Sequence, residues 1–295
     1  MFDLLRGSVN LRPPSRLTIV QILTSLLAPP VCALCGGGGQ LADEPWGIDL
    51  CRYCEGACPA LSPGCARCAE PGGAALCQRC CAAPPPFHVT RALFLYADPA
   101  DQLITGLKFQ GELPFARVLG TLFARSLRRQ GVRLPHCLVP MPLHGNRYRQ
   151  RGFNQTEAIG RHLARRLRVP LETGLLTRTR DTPPQSEQTA AARRANTRDA
   201  FAVRPGTRVP PRVALLDDVM TTGSTAAAAA AALRDAGARQ VEVWVCARAA
   251  LSEAADAACA ADPRPRSANL SASWPAANPS PSRPRPPVAP VSSTS

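Results

Sequence analysis

Lysine is nearly missing from this chain: it occurs once, at Lys108, and arginine supplies every other basic residue among the 35. Aromatic residues are also scarce at 5%. That leaves little material for the stacked aromatic platforms with which single-strand binders hold bases. No apolar run approaches the roughly 20 residues that cross a bilayer, so a soluble protein is expected. No Gly-x-x-x-x-Gly-Lys loop is present, which removes P-loop nucleotide chemistry. Positive charge, by contrast, is abundant. A formal charge of +14 and a pI near 9.8 suit anionic partners, although arginine, alanine and proline excess also accompanies GC-rich coding sequence.

Cysteine is the second abundance, and it is concentrated. Ten of the 13 cysteines lie between Cys32 and Cys81. Eight form Cys-x-x-Cys pairs: Cys32/Cys35, Cys51/Cys54, Cys65/Cys68 and Cys77/Cys80. Each pair places two thiolates on one tight knuckle, and two knuckles complete a tetrahedral zinc site. Consecutive pairing into two zinc ribbons is the economical arrangement, with a crossed arrangement also open. A disulfide framework is the rival and would belong to an oxidising compartment. Cys58 and Cys81 are left over, and Cys81 could replace Cys80.

The chain divides into four expected parts. Residues 1–30 carry Leu17, Val20, Leu23 and Leu27 at helical spacing, favouring an amphipathic helix over a signal peptide despite Arg6, Arg12 and Arg16 upstream. Residues 31–86 are the cysteine module. Residues 87–251 read as an α/β domain. Residues 252–295 are rich in Ala, Pro, Ser and Arg and are expected to be disordered. Within the α/β part, strands are expected at Val89–Tyr96, Cys137–Pro142, Leu171–Thr177, Ala200–Val203, Val213–Leu216 and Val241–Cys246. Helices are expected at Ala100–Leu107, Leu113–Arg129 and from Asn154 or Thr156 to Arg168. Arg178–Asn196 reads as a long mobile loop.

Val213–Thr225 carries the chemistry. An apolar strand ends in Asp217 and Asp218, passes a Thr/Gly/Ser turn, and enters a helix of seven alanines that stops at Gly237. The turn amides and helix dipole suit a phosphate. The two carboxylates would repel that phosphate, so they must address hydroxyls or a bridging cation. As strand-end acids they are expected to be exposed and to contribute nothing to the core. Arg147, Arg149 and Arg151 beside the end of the Cys137–Pro142 strand suit an anion. The lone Lys108 hints at a specific ammonium contact.

Leu-Leu-Asp-Asp-Val-Met-Thr-Thr-Gly-Ser-Thr resembles the phosphoribosyl-pyrophosphate (PRPP) motif of type I phosphoribosyltransferases. Together with Val-Pro-Met-Pro-Leu (139–143), Arg-Gly-Phe-Asn-Gln (151–155), Thr-Pro-Pro-Gln (182–185), Arg-Arg-Ala-Asn (193–196) and the cysteine module, the order resembles the ComF family over about residues 20–250. The resemblance implies a type I phosphoribosyltransferase-like parallel sheet behind a double zinc ribbon. It implies a cytoplasmic, competence-associated protein that assists incoming single-stranded DNA alongside the uptake machinery. It implies Mg2+ with PRPP, and two structural Zn2+ on Cys32, Cys35, Cys51, Cys54, Cys65, Cys68, Cys77 and Cys80. Asp217 and Asp218 would hold the ribose hydroxyls as the catalytic pair. Thr221, Thr222, Gly223, Ser224 and Thr225 would hold the 5′-phosphate, with Val219 and Met220 in the same PRPP-binding stretch. The Met141–His144 loop, with Met141, Pro142 and Leu143, would cradle pyrophosphate with Arg147, Arg149 and Arg151 nearby; Lys108 would also contact PRPP, and Arg178–Asn196 would close as a lid. The resemblance names no acceptor. Two readings stand: an active phosphoribosyltransferase, or a single-strand-handling protein with a regulatory or vestigial PRPP site.

Overall fold

The computed structural model describes residues 29–40, 47–72, 75–179 and 200–250. The expected N-terminal helix, most of the 178–196 loop and the tail after residue 250 lie outside the described residues.

Four strands build one parallel sheet: β1 (Val89–Leu95), β2 (Cys137–Pro140), β5 (Arg212–Met220) and β6 (Gln240–Arg248), in the order β1-β6-β5-β2. A parallel sheet must be covered on both faces, and the sequence provides for it by alternation. Val213 and Leu215 of β5 pack into one core, and Ala214 and Leu216 into the other. β6 does the same with Val243 and Val245 against Trp244 and Cys246.

The face bearing Leu216 and Trp244 is covered by the helices α3 (Ala100–Thr105), α4 (Leu113–Arg129) and α6 (Gln155–Leu167). α4 and α6 approach closely at Gly120, where an added Cβ would lie 2.8 Å from the Ile159 carbonyl oxygen and from His162 Cβ. The opposite face is covered by α7 (Ser224–Asp235), whose alanines let it sit low on the strands. A short antiparallel ribbon, β3 (Leu176–Arg178) with β4 (Phe201–Val203), lies outside the main sheet.

Among the described residues the cysteine module has no core of its own. Cys32, Cys54, Ile48 and Leu50 pack into the core with Leu119 and Trp244. Cys65, Cys68, Cys77 and Cys80 pack with Leu215, Met220 and Ala226. A segment this short buries too little apolar surface alone, so each half borrows a face of the sheet. α1 (Arg52–Ala57) and α2 (Gln78–Ala82) each carry the last cysteine of their half.

Several boundaries differ from expectation. β5 runs through both acids to Met220, with Asp217 opposite Val245 and Met220 opposite Arg248, so the pair sits within the strand. The Leu171–Thr177 strand reduces to a bridge at Leu171 and the short β3. Arg147–Arg151 lies in a helix, α5 (Gly145–Arg151), entered from His144. The helix expected over Ala100–Leu107 gives way to a π turn at Gly106–Gln110, closed by Gly111 at φ 72°. Such turns insert one extra residue and redirect side chains, often at functional sites.

Candidate functional site

β5, β2, the π turn and the start of α6 converge on a cleft of about 200 Å3. Asp217 and Asp218 line it together with Lys108, Met141, Pro142, Leu143, Arg151, Thr221 and Thr225 from the expected site. Arg147, Gln155, Thr156 and Arg178 line it as well. Four cations around two acids make the cleft attractive to a polyanion. Val219, Met220, Thr222, Gly223 and Ser224 do not line it. Met220 is buried beneath the turn, with its side chain 3.4 Å from where a Cβ on Gly223 would sit.

The two acids are not equivalent. Asp218 is buried at 6% exposure, which corrects the expectation of two exposed acids. Its Oδ1 accepts from the Val219 N–H at 2.8 Å. Its Oδ2 takes Gln155 Nε2 at 3.1 Å and forms an ion pair with Lys108 Nζ at 3.1 Å. Burial opposes its charge, but Lys108 and these hydrogen bonds outweigh burial and hold its carboxyl below the usual range. Asp217 is half-buried, and its Oδ1 accepts the Asp218 N–H at 2.9 Å. Among the described residues its Oδ2 accepts no hydrogen bond. Burial pushes the Asp217 carboxyl up, and the neighbouring Asp218 charge pushes it further. The lone lysine thus has the specific ammonium contact expected of it.

Beyond Met220 the chain turns through Thr221–Gly223. Gly223 adopts φ 77° and serves as N-cap of α7 without offering a side-chain cap. The Ser224 N–H donates instead to Thr222 Oγ1 at 3.4 Å, and the positive end of the helix dipole at this turn suits an anion. Thr222 Oγ1 and Ser224 Oγ lie 2.9 Å apart across the turn. The Met141–His144 segment is pinned by α6: Asn154 Nδ2 and Thr156 Oγ1 both donate to the Met141 carbonyl, at 3.1 and 2.9 Å. Asn154 also caps α6 by accepting from the Thr156 N–H.

Sequence reasoning missed two features here. Gln155 stands in the Arg-Gly-Phe-Asn-Gln motif but carries no site role in the sequence reading, yet its amide orients Asp218. Phe109 was overlooked because the π turn could not be anticipated. Its ring is 71% exposed, with the Arg151 guanidinium 5.4 Å and Lys108 Nζ 5.9 Å from its centroid.

The thiols form two consecutive quartets, Cys32/Cys35/Cys51/Cys54 and Cys65/Cys68/Cys77/Cys80, and not the crossed pairing. Within each, the sulfurs lie within 4.8 Å of one another, with Cys35–Cys51 at 3.8 Å and Cys68–Cys77 at 3.6 Å. A tetrahedral ion with metal–sulfur bonds of about 2.3 Å sets its sulfurs about 3.8 Å apart. Both quartets therefore fit zinc, and all eight cysteines are free thiols. Cys80 belongs to the second quartet, so Cys81 does not replace it. Cys58 is buried in the adjoining core outside either quartet.

Comparison with known proteins places the chain. It is 34% identical over 225 residues to the DNA utilization protein YhgH of Escherichia coli K12, a match spanning 74% of this chain and 97% of that protein. It is 30% identical over 226 residues to Competence protein F of Haemophilus influenzae, spanning 74% and 96%. The chain belongs to the ComF family. Competence protein ComFC of Streptococcus pneumoniae is a more distant relative, 27% identical over 52% of this chain and 66% of that protein. No protein-family model matches. Among solved structures, a Bacillus subtilis glutamine PRPP amidotransferase aligns at TM-score 0.31 and 21% identity, covering 44% of this chain and 25% of that one. A Trypanosoma cruzi hypoxanthine phosphoribosyltransferase aligns at TM-score 0.29 and 12% identity, covering 50% and 64%. Scores this low carry no argument; the fold rests on the parallel sheet and the two thiol quartets. Among the described residues no helix is long and apolar enough to cross a membrane.

Proposed function

We propose that this ComF protein binds PRPP with magnesium at the Asp217/Asp218 cleft and transfers the phosphoribosyl group to an acceptor, as a cytoplasmic step linked to DNA uptake. The carrying observation is the division of labour between the acids. Lys108 and Gln155 hold Asp218 ionised and oriented, while Asp217 lines the cleft with an oxygen, Oδ2, that accepts no hydrogen bond among the described residues. A vicinal diol donates two hydrogen bonds, and a carboxylate pair of this kind suits it. The start of α7, where Gly223 adds no side-chain cap, follows a few residues on in the chain and suits the 5′-phosphate.

During transfer the bond from ribose C1 to pyrophosphate breaks and a bond to the acceptor forms, while the sugar becomes oxocarbenium-like. Magnesium bound with the pyrophosphate would neutralise the leaving charge. Arg147, Arg151 and the pinned Met141–Leu143 segment supply this chain's own positive charge and rigid wall at the cleft. Arg178 lies at the edge of the segment expected to act as a lid.

One observation favours the second reading, a single-strand-handling surface. Phe109, exposed between two cations, is an aromatic face on which a base can stack, with Lys108 and Arg151 beside it. Titrating the protein with Mg-PRPP and with a single-stranded oligonucleotide, each in the presence and absence of the other, tests both. Competition or cooperation between them places both at the cleft. Oligonucleotide binding alone, with no response to Mg-PRPP, refutes the transferase reading.

A further inference from the structure

The second thiol quartet is joined to the anion turn by a chain of charged groups. Arg248, at the end of β6, is 0% exposed. Its Nε donates to the Cys68 carbonyl at 2.9 Å, and its guanidinium pairs with the Glu70 carboxylate. One guanidinium nitrogen also donates to the Met220 carbonyl at 3.1 Å, the residue from which the turn departs. Glu70, itself 4% exposed, is 3.5 Å from a nitrogen of Arg79. The other terminal nitrogen of Arg79 donates to the Thr222 carbonyl at 3.3 Å, inside the turn.

The placement of these residues in the sequence is informative. Arg79 lies between Cys77 and Cys80, and Glu70 lies two residues beyond Cys68. The knuckle backbone that carries Glu70 is tightly closed: the Cys65 N–H donates to the Glu70 carbonyl at 2.9 Å. A Cβ on Gly64 would lie 2.1 Å from that oxygen. Arg79, which reaches the turn, and Glu70, which holds Arg79 and Arg248, therefore ride on the segments whose shape the four sulfurs set. The first quartet is anchored differently. Asp49 and Glu55 pair with Arg117 and Arg125 of α4, on the opposite face of the sheet.

We infer that the Cys65/Cys68/Cys77/Cys80 quartet, when it holds its metal, fixes the anion turn through Glu70, Arg79 and Arg248, which are positioning residues for the bound phosphate. The first quartet serves the helical face and leaves the turn alone. Arg79 holds the turn at Thr222, and Arg248 holds its root at Met220. A buried ion pair set among backbone carbonyls has few alternative arrangements, so it transmits position rather than merely adding stability. Loss of metal from the second quartet releases Arg79 and Glu70 together and frees the turn. This inference rests on the anion-site reading above for its ligand, but the mechanical link can be read without any ligand.

The experiment uses the full chain with both metals, compared with Arg79→Ala, Glu70→Gln and, for the first quartet, Cys35→Ser. Arg79 is partly exposed, so its truncation leaves the fold and the zinc content of two per chain in place. Amide hydrogen exchange over residues 221–225 is then followed without ligand. The inference predicts exchange about tenfold faster in Arg79→Ala, the scale of one lost charge-assisted hydrogen bond, with residues 213–216 unchanged. Glu70→Gln accelerates the same segment, and Cys35→Ser leaves it alone. Unaltered exchange at residues 221–225 in Arg79→Ala and Glu70→Gln overturns the inference, as does equal acceleration in Cys35→Ser.

A second measurement separates positioning from general support. Coupling is reciprocal in binding free energies, so Mg-PRPP raises the zinc affinity of the second quartet against a competing chelator at equilibrium and not that of the first, and Arg79→Ala abolishes that selectivity. Protection of both quartets alike, or selectivity that survives Arg79→Ala, contradicts the link. Absence of any calorimetric response to Mg-PRPP in the wild type defeats the ligand reading instead, and the exchange comparison still decides the link.

Discussion

Replacing the two acids separately distinguishes the roles assigned to them. Asp217→Asn keeps the shape and an oxygen able to accept the Asp218 N–H, and removes only the charge offered to the ligand. Hydrogen bonds to charged groups contribute about 1.5–3 kcal/mol, so Mg-PRPP affinity should fall roughly 10- to 150-fold. Stability should hold or rise slightly, because burial first and the like charge of Asp218 second both disfavour an ionised Asp217 and raise its carboxyl. Asp218→Asn behaves differently. Lys108 loses its carboxylate at 3.1 Å, in a pair whose lysine side chain is 27% exposed and whose aspartate side chain is 8% exposed. Breaking a fully buried pair costs about 3–5 kcal/mol, and the partial exposure of Lys108 reduces this to about 2 kcal/mol. Thermal unfolding at constant zinc content, paired with calorimetry, reads both quantities. If the two variants lose stability equally, or if Asp217→Asn binds Mg-PRPP as the wild type does, the division of labour is wrong.

Other consequences are open to measurement. Purified reduced protein should contain two zinc ions per chain, and elemental analysis finding none would overturn the metal assignment. Because each quartet shares a core with a sheet face, Cys65→Ser should lower the stability of the α/β part as well, visible as one cooperative transition at lower temperature. His162 is held neutral mainly by burial, with Arg166 adding to it, and its pKa falls to about 4 from 6.5. Its contribution to stability is complete above pH 6.5 and is lost as pH drops toward 4, because the unfolded chain binds the proton more readily there. His162→Gln should flatten that window in pH-dependent denaturation. If single strands stack on Phe109, Phe109→Ala should weaken oligonucleotide binding about tenfold at every salt concentration, a stacking loss of about 1–3 kcal/mol. It should leave the slope against salt unchanged, since phosphate contacts set that slope. An unchanged affinity would remove the stacking surface.

Much of the architecture was legible because it depends on local pattern. The alternation in Val213–Leu216 and Val241–Cys246 assigns residues to two faces, and Cys-x-x-Cys spacing groups the thiols. Leu113–Arg129 has the expected bounds because its apolar periodicity is strong and Gly131 follows. The site was legible in outline through the acids and the turn. What stayed hidden depends on contacts distant in sequence. Nothing near Asp218 announces that Lys108, 110 residues earlier, reaches its carboxylate. Nothing around Arg248 announces that it is fully buried against Glu70, 178 residues earlier. The exposure expected of the acids failed because β5 continues past them, which brings Asp218 under Gln155 and Lys108. The π turn was also illegible, since Gly106–Gln110 carries helical residues whose extra turn member is decided by packing.

The central claim is that the Asp217/Asp218 cleft and the turn at Gly223 hold PRPP. Calorimetric titration of the full chain with Mg-PRPP, in the wild type, in the Asp217→Asn Asp218→Asn pair and in Gly223→Val, tests it most directly. Gly223→Val forces a branched residue into φ 77° and disturbs the turn without touching the acids. The account predicts saturable binding by the wild type and loss of at least about tenfold in both variants, by independent routes. Equal affinity in all three proteins, or no heat in the wild type, would contradict it.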